Sequence, residues 1–455
     1  MHKRITAIVH SDVSVLLLIV TTGLSLTTSG CNALFPKDKR PNILIIVTDD
    51  QRYDTMQYMP ETQRHIFDQG VSFTNGFITT PLCCPSRSSI LTGMYAHNHG
   101  VHTNEGDLKL PTFMELMHAN GYYTGLVGKY LNSWKGDPRP EYDFWVSYAK
   151  GETRYYNPRL NVNGEWIRHD GQYVTYVLGD YVIDFLKKAA KKNEPFILLY
   201  TPNAPHDPVT PAKEDEGLFP DLPPYRPPSF NEADISDKPA WLASQPLLTE
   251  EEIKNVDTFR RNQILTLVSL DRTIARVMDE LKAQGMLDNT FILFLSDNGK
   301  FWGEHRITSK NGIYDEASRV PYAIRYPPLI PQPRADDHIV ANIDIAPTAL
   351  DLAGIPIPAN MDGMSLVKLL SGQTEWRKGI LLEGWPGRGI YTAVHTAHYV
   401  YSETTGDRSE FYDLVKDPFQ LENLIDHPDY QELIQEHRDL LHTILKASHA
   451  ATPTP

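Results

Sequence analysis

The chain has 455 residues and a formal net charge of −14; 41% of its residues are hydrophobic and 22% are charged. This is the composition of a globular protein, long enough for one large domain and a smaller one, and it argues against a disordered chain. The negative charge is spread along the chain rather than gathered in a tail, which argues against nucleic acid as a partner but does not exclude an anionic substrate.

The first 31 residues differ from the rest of the chain. Basic residues at positions 2–4 precede the apolar run VSVLLLIV at 13–20, and small and polar residues lead to Cys31. This order predicts an export signal over residues 1–31, because the apolar run is too short to predict a membrane span. The sequence TSGC at 28–31 resembles a bacterial lipoprotein cleavage site, which would place a membrane anchor on Cys31. The alternative is an ordinary signal peptide, so the expected location is the periplasm, the cell surface or the medium.

After a polar linker at residues 32–40, continuous apolar runs predict strands that are buried on both faces of a sheet. ILIIV at 43–47 stops at Asp49 and Asp50, FILLY follows at 196–200, and FILFL at 291–295 ends before Asp297. Helical stretches lie between these runs. The alternation predicts an α/β fold.

The clearest helix begins after Thr249, with Glu252 placed for a capping box, and continues with apolar residues at helical spacing as far as Gly285. Residues 202–246 before it are rich in proline and predict a long surface excursion. Beyond residue 375, short strand-like segments precede a helix from about 428 to 446. We therefore predict a large α/β domain over 41–374 and a smaller α+β domain with an antiparallel sheet over 375–455.

Two of the predicted strands end in pairs of oxygen donors, Asp49 with Asp50 and Asp297 with Asn298. Open α/β sheets bind ligands beyond the carboxyl ends of their strands, so the two pairs could converge there. Four hard oxygen donors suit Ca²⁺ or Mg²⁺. Taken singly, each pair has a simpler interpretation, as a helix cap or as a turn that includes Gly299.

The stretch TTPLCCPSRSSILTG at 79–93 places two of the three cysteines side by side. Adjacent cysteines cannot readily bond to each other without strain, and Cys31 alone cannot pair with both. The pattern therefore indicates something other than a disulfide.

Cys83-Cys84-Pro85-Ser86-Arg87 resembles the signature of the type I sulfatases, in which the first cysteine of C-x-P-S-R is oxidised to formylglycine. The resemblance extends along nearly the whole chain after the export signal. It includes DDQRYD at 49–54, VGKYLN at 127–132, APH at 204–206, SDNG at 296–299, GEH at 303–305, Lys310, RVP at 319–321 and FYDLVKDPFQLENL at 411–424.

This resemblance implies an alkaline-phosphatase-like large domain with a mixed, mostly parallel sheet. It also implies that a formylglycine-generating or sulfatase-maturing enzyme converts Cys83 to formylglycine. One Ca²⁺ would be held by Asp49, Asp50, residue 83, Asp297 and Asn298. One hydroxyl of the hydrated aldehyde would attack sulfur, and the second would then expel sulfate by internal elimination.

The resemblance assigns further roles residue by residue. Arg87 matches the arginine that stabilises the formylglycine hydroxyl, and Lys129 and Lys310 match the two lysines that hold sulfate oxygens. His206 matches the histidine that protonates the leaving sugar oxygen. Without the surrounding motifs, surface lysines and a structural histidine would be the simpler interpretations. Cys84 fills the free position of the motif, and we interpret it as a small buried hydrophobic residue.

One departure from the family pattern is Asn132, which stands where many sulfatases have a second histidine. GKYLN, CCPSR, His97-Asn98-His99 and FNEADISDKPAW at 230–241 together resemble the N-acetylglucosamine-6-sulfatase branch, which includes heparan endosulfatases. The basic, cysteine-bearing insertion of those endosulfatases is absent from the sequence, which favours an exo-acting enzyme. Asn132, His97 and His99 are candidate substrate-binding residues, with a structural role as the alternative for the two histidines.

The preferred prediction is an exported, Ca²⁺-dependent sulfatase that removes 6-O-sulfate from N-acetylglucosamine in a glycan. One alternative is a phosphodiester or phosphonate ester hydrolase of the same superfamily. The other is a catalytically inactive glycan-binding lipoprotein at the cell surface, against which the intact set of motif residues argues. The expected partners are the sulfated glycan, the maturation enzyme and, through a lipidated Cys31, a membrane.

Overall fold

A ten-stranded sheet forms the centre of the computed structural model, which describes residues 40–385 and 390–450, with side chains as far as residue 448. Its strands are β1 (Asn42–Thr48), β2 (Val71–Phe77), β3 (Tyr123–Gly128), β4 (Phe144–Ser147), β5 (Arg159–Val162), β6 (Glu165–Arg168), β7 (Phe196–Thr201), β8 (Thr290–Ser296), β9 (Tyr322–Arg325) and β10 (Arg334–Ala341). They lie in the order β10-β2-β9-β8-β1-β7-β3-β4-β5-β6. Of these ten strands, β5 and β9 run against the direction shared by the other eight, which confirms the predicted mixed, mostly parallel sheet.

Helices cover both faces of this sheet. The helices that precede the second sheet are α1 (Pro60–His65), α2 (Cys83–Thr92), α3 (Ala96–His99), α4 (Phe113–Ala119), α5 (Val174–Ala189), α6 (Ala240–Ala243), α7 (Glu250–Ala283), α8 (Asp315–Ser318), α9 (Ile345–Leu352) and α10 (Val367–Leu370). Apolar residues of α2, α4 and α9 pack on one face, and those of α5 and α7 pack on the other. The large sheet is thus the middle layer of three.

Strand β1 shows why the predicted strands have continuous apolar runs. Ile43, Ile45 and Val47 belong to the core on the α2 side, whereas Leu44 and Ile46 belong to the core on the α7 side. Successive side chains of a strand point to opposite faces, so a strand covered on both faces needs apolar residues at every position.

Helix α7 begins as the sequence predicts. Thr249 Oγ1 accepts a hydrogen bond from the backbone N–H of Glu252 at 3.3 Å, and Glu252 Oε2 accepts one from the backbone N–H of Thr249 at 2.8 Å. This capping box satisfies two backbone donors that would otherwise lack a partner at the start of the helix. The 34 residues of α7 then lie along the sheet with Leu267, Leu270 and Ile274 buried.

The proline-rich excursion at residues 202–246 contains little regular structure. Its helical parts are the short 3₁₀ helix Lys213–Asp215 and α6. The end of the excursion is fixed by the buried Lys238, whose ammonium donates to the backbone carbonyls of Gln420 at 2.8 Å and Leu421 at 2.6 Å. The excursion is therefore attached to the C-terminal part of the chain.

A second, antiparallel sheet follows in the order β11 (Gly379–Gly384), β12 (Tyr391–Thr396), β13 (Tyr399–Thr404) and β14 (Glu410–Asp413), and α11 (Gln431–Ala450) packs on it. Its apolar core also includes Phe77, Phe301 and Tyr314 of the large-sheet region. The small antiparallel sheet and its helix agree with the predicted pattern. The limits 41–374 and 375–455 remain a prediction.

The predicted export signal and the proposed lipidation site at Cys31 lie outside the described residues. Among the residues that are described, none of the helices combines the length and the apolar character needed to cross a membrane.

Glu410 of β14 is buried in the core beneath the second sheet. Its Oε1 accepts hydrogen bonds from the hydroxyls of Tyr314 and Tyr412, each at 2.8 Å. Burial raises the pKa of Glu410 to about 7, because the two hydrogen bonds and the charge of Lys238 offset only part of the cost of burying a carboxylate.

We predict that Glu410→Gln stabilises the protein at alkaline pH. Between pH 4.5 and 7 the folded state retains a proton on Glu410 that the unfolded state has released, so wild-type stability falls as the pH rises through this window. Glutamine keeps the acceptor oxygen and carries no charge. At pH 8 the variant should exceed the wild type by on the order of 2 kcal/mol in the free energy of unfolding, with little difference near pH 4.5. Urea denaturation at both pH values is the measurement, and an unchanged pH dependence would contradict the prediction.

Candidate active site

The side chains that the sequence predicts for catalysis meet at the carboxyl edge of the central strands. Strands β1 and β8 are parallel neighbours with Thr48 opposite Ser296, so Asp49 and Asp297 leave the sheet side by side. Lys129 directly follows β3, and His206 lies on the loop after β7. Helix α2 begins at Cys83 and adds its first turn to the same space.

Two unusual backbone conformations support this arrangement. Asp50 has a left-handed backbone with φ of 67°, and its N–H donates to Asp297 Oδ1 at 3.1 Å. Gly128, the residue before Lys129, has φ of 120°, and a Cβ at this position would lie 2.0 Å from the carbonyl oxygen of Thr201. The close approach of β3 and β7 at the site therefore requires glycine at position 128.

Asp49 is surrounded by cations and by Cys83. Lys129 Nζ donates to Asp49 Oδ2 at 2.8 Å, Arg87 Nη2 lies 3.7 Å from the same oxygen, and Cys83 Sγ lies 3.7 Å from Asp49 Oδ1. Burial opposes ionisation of Asp49, but the charges of Lys129, His206 and Arg87 outweigh burial and hold its pKa well below the usual range. Asp49 is therefore a buried anion.

Asp50 lies on the other side of Cys83. Lys310 Nζ contacts both Asp50 Oδ1 and Cys83 Sγ, the latter at 2.7 Å. Asn298 Nδ2 donates to Asp50 Oδ1 at 2.6 Å, and His206 Nε2 lies 3.9 Å from Asp50 Oδ2. Despite burial, the charges of Lys310 and His206 lower the pKa of Asp50.

Arg87 connects the segment after β8 to the segment after β3. Its Nε donates to Asp297 Oδ2 at 2.8 Å and its Nη1 donates to the backbone carbonyl of Lys129 at 3.1 Å. Because α2 carries both Cys83 and Arg87, one helical turn presents the cysteine to the site and fixes the arginine behind it.

His206 lies at the mouth of the site, with 19% of its side chain exposed. Its Nδ1 lies 2.9 Å from the carbonyl of Asp207, so Nδ1 carries the donated proton and Nε2 faces Asp50. Burial disfavours the charged ring, but Asp49 and Asp50 favour it more strongly and raise the pKa of His206 to about 9. The two carboxylates therefore favour the protonated ring, which can donate a proton.

The donor set fits a hard divalent cation. Asp50 Oδ2 and Asn298 Oδ1 are buried, and neither has a hydrogen-bond partner among the described residues. One ligand atom from each of Asp49, Asp50, Cys83 and His206 lies within 4.8 Å of the others. Buried oxygen atoms normally have partners, and carboxylate and amide oxygens are the ligands that Ca²⁺ prefers. Asp297 adjoins this group through the N–H of Asp50.

Cys84 points away from this cluster. Its N–H donates to Asn104 Oδ1 at 3.0 Å, its thiol lies 3.6 Å from the carbonyl of Gly106, and burial raises its pKa. A buried thiol with a raised pKa is a poor nucleophile. These contacts favour the interpretation of Cys84 as a small buried residue.

The three candidate substrate-binding residues lie in different places. A Cβ on Gly151 would lie 3.0 Å from both Asn132 Cγ and Lys129 Cε, so Asn132 is next to Lys129. The ring of His97 contacts Glu383 Oε1 of β11 at 2.8 Å.

His99 has internal partners at both ring nitrogens. Its Nδ1 accepts from the N–H of Val101 at 3.1 Å, and its Nε2 lies 3.0 Å from Ser89 Oγ. Burial lowers the pKa of His99 to about 3. This placement favours the structural alternative for His99, whereas Asn132 is the candidate that lies beside Lys129.

Three further residues at the site were not predicted from the sequence. Lys300 has its ammonium 3.8 Å from Asp50 Oδ2. Tyr148 follows β4 and Asn203 follows β7; both are buried, and neither the Tyr148 hydroxyl nor the Asn203 amide has a hydrogen-bond partner among the described residues. The available signal for Tyr148 and Asn203 was a polar residue within two positions of the end of a buried strand, whereas Lys300, four residues beyond the end of β8, had no such signal.

Comparison with known families identifies the class. The sulfatase family model matches residues 41–355, and the model described as N-sulphoglucosamine sulphohydrolase, C-terminal, matches residues 303–447. Since the first match covers more than half of the chain, this protein belongs to the sulfatase family.

Individual relatives agree with this assignment. The extracellular sulfatase SULF-1 homolog of Drosophila melanogaster is 35% identical over 372 residues, which cover 77% of this chain and 33% of that protein. The N-acetylglucosamine-6-sulfatase of Homo sapiens is 33% identical over 402 residues, which cover 80% of this chain and 71% of that protein. The chain thus matches about a third of the length of the fly relative.

A solved structure has the same fold and architecture. The complex of a protein with its substrate D-glucosamine-2-N,6-O-disulfate superposes with a TM-score of 0.80 and 26% sequence identity, covering 90% of this chain and 98% of that one. The predicted alkaline-phosphatase-like architecture of the sulfatases is confirmed.

Proposed function

We propose that this protein is an exported, Ca²⁺-dependent sulfatase that removes 6-O-sulfate from N-acetylglucosamine at the non-reducing end of a glycan. The observation that carries the proposal is the position of Cys83, with its sulfur 2.7 Å from Lys310 Nζ and 3.7 Å from Asp49 Oδ1 at the start of α2. A cysteine placed among cations and oxygen donors suits attack on an anionic ester.

In this proposal a maturation enzyme converts Cys83 to formylglycine, and the position of Cys83 Sγ marks where the oxygens of the hydrated aldehyde would lie. That hydrate supplies two hydroxyl groups on one carbon. One attacks the sulfur of the substrate's sulfate ester, and the other expels sulfate afterwards. Arg87 and Lys310 stabilise negative charge at residue 83. Because both are protonated and held by buried carboxylates, they require no rearrangement when that charge develops.

The residues that would hold Ca²⁺ are Asp49, Asp50, residue 83, Asp297 and Asn298. A cation bound there would supply positive charge beside the sulfate and would favour the ionised form of the attacking hydroxyl.

Lys129 and Lys310 bind the remaining sulfate oxygens as point charges. Desolvation would favour their neutral forms, but Asp49 and Asp50 raise the pKa of Lys129 and Lys310 respectively, so both remain ammonium groups. His206 gives its Nε2 proton to the sugar oxygen that leaves.

Substrate choice rests on the relatives and on the unpartnered groups around the site. The human relative is named N-acetylglucosamine-6-sulfatase, and the structural neighbour was solved with a 6-O-sulfated glucosamine. A primary 6-O-sulfate projects from its sugar ring on its own carbon, so sulfate can enter the cation cluster while Asn132 and its neighbours contact the ring. Export agrees with the name of the extracellular fly relative, and a lipidated Cys31 would add a membrane anchor.

We predict that the protein binds one Ca²⁺ per chain and needs it for turnover. Calorimetric titration of metal-free protein should show one site, which Asp297→Ala should abolish together with activity. Asp257→Ala is a matched control, because Asp257 lies on α7 and forms a partly exposed ion pair with Arg226. Full activity of a preparation shown to be metal-free would sink the Ca²⁺ part of the proposal.

The substrate prediction is tested on a panel of sulfated sugars. We expect kcat/KM to be highest for N-acetylglucosamine 6-sulfate, and lower for N-acetylgalactosamine 6-sulfate and 2-sulfated uronic acids by roughly a hundredfold, because buried polar groups left without partners cost a few kcal/mol. A preference for another sugar would keep the sulfatase proposal and reject its branch. Faster hydrolysis of the matching phosphate ester would favour the phosphoesterase alternative instead.

A further inference from the structure

Lys300 lies between Asp50 and the loop that carries His206 and Asp207, and the proposed chemistry gives it no role. Its side chain is 9% exposed, and its ammonium is 3.3 Å from Asp207 Oδ2 and 3.8 Å from Asp50 Oδ2. The ring of Phe259 on α7 lies beneath the ammonium, with its centroid at 5.2 Å. A lysine this buried needs an anionic partner.

The backbone of Lys300 is held firmly. Its carbonyl accepts a hydrogen bond from Arg52 Nη1 at 2.9 Å, and the N–H of Gly299 before it donates to the carbonyl of Ala317 at 2.9 Å. A Cβ at Gly299 would lie 2.0 Å from the carbonyl oxygen of Glu316, so this segment is packed directly on neighbouring backbone. Lys300 therefore extends from a rigid base.

The loop after β7, which carries His206 and Asp207, faces the Lys300 ammonium. The side chain of Asp207 is 51% exposed, and the ion pair with Lys300 holds it toward the site. The carbonyl of Asp207 contacts His206 Nδ1 at 2.9 Å, so the position of residue 207 sets the direction of the His206 ring. The ion pair between Lys300 and Asp207 can therefore fix the orientation of the His206 ring.

We propose that Lys300 is a positioning residue, which holds the His206–Asp207 segment against the site through its ion pair with Asp207. The inference rests on the proposed role of His206 as the acid. A cation bound by Asp50 would repel the Lys300 ammonium and leave Asp207 as its anionic partner. The alternative, in which Lys300 binds substrate directly, does not involve Asp207.

A double-mutant cycle distinguishes these roles. For N-acetylglucosamine 6-sulfate, Lys300→Met and Asp207→Asn should each lower kcat about tenfold, because a small displacement of the acid slows a step that needs it. The double variant should be no slower than either single variant. For an activated aryl sulfate, whose leaving group needs no proton, each loss should stay below about twofold. Lys300→Arg should restore most of the sugar activity.

Lys254→Met is the matched control, since Lys254 is an exposed lysine on α7. Losses that multiply in the double variant, an unaffected Asp207→Asn, or equal losses on both substrates would overturn the proposal.

The ¹⁵N resonances of the His206 ring give a second measurement, which does not depend on turnover. We expect them to shift in Lys300→Met and to remain in place in Lys254→Met. Unchanged resonances in Lys300→Met would reject the positioning role. If the resonances shift but the wild-type protein hydrolyses no sulfate ester, the positioning role is supported and the proposed function is rejected.

Discussion

The structure depends on the balance of charge at the carboxyl edge of β1 and β8. Asp49, Asp50 and Asp297 are each at most 1% exposed, and three carboxylates in so small a space repel one another. The fold compensates by directing Arg87 and Lys129 into the same space from α2 and β3, with Lys310 entering from the loop after β8. Each of these cations has a buried carboxylate as its partner, so the groups proposed to bind sulfate or to stabilise charge at residue 83 also permit the acidic site to form.

The loop that carries Lys310 is held by buried polar contacts. Arg52, three residues beyond Asp49, donates to Glu304 Oε1 at 2.8 Å, and both side chains are inaccessible to solvent. His305 Nδ1 lies 2.7 Å from Glu232 Oε2 of the proline-rich excursion. Removing one partner of a buried charged pair leaves the other uncompensated, which makes such contacts costly to break. Arg52 of the DDQR motif and Glu304 and His305 of the GEH motif therefore support the site without touching its centre.

Much of the fold and of the candidate catalytic cluster could be predicted from the sequence. Apolar runs at 43–47 and 291–295 predicted buried strands, and the polar residues after them indicated that Asp49 and Asp297 could converge at one edge of the sheet; the pairing of the two strands came from the structure. Lys300 could not be found in this way, because a single lysine after SDNG has no local pattern, and its importance comes from Asp207, 93 positions away. His99 illustrates the opposite difficulty, since the motif HNH does not reveal that both ring nitrogens have partners inside the protein.

The central claim is that residue 83 is the nucleophile in its oxidised form, and the mass of the peptide containing it tests this most directly. Protein purified in active form should show formylglycine at residue 83 and an unmodified thiol at Cys84, with activity rising in proportion to the oxidised fraction. Fully active protein with an intact thiol at Cys83 would contradict the account.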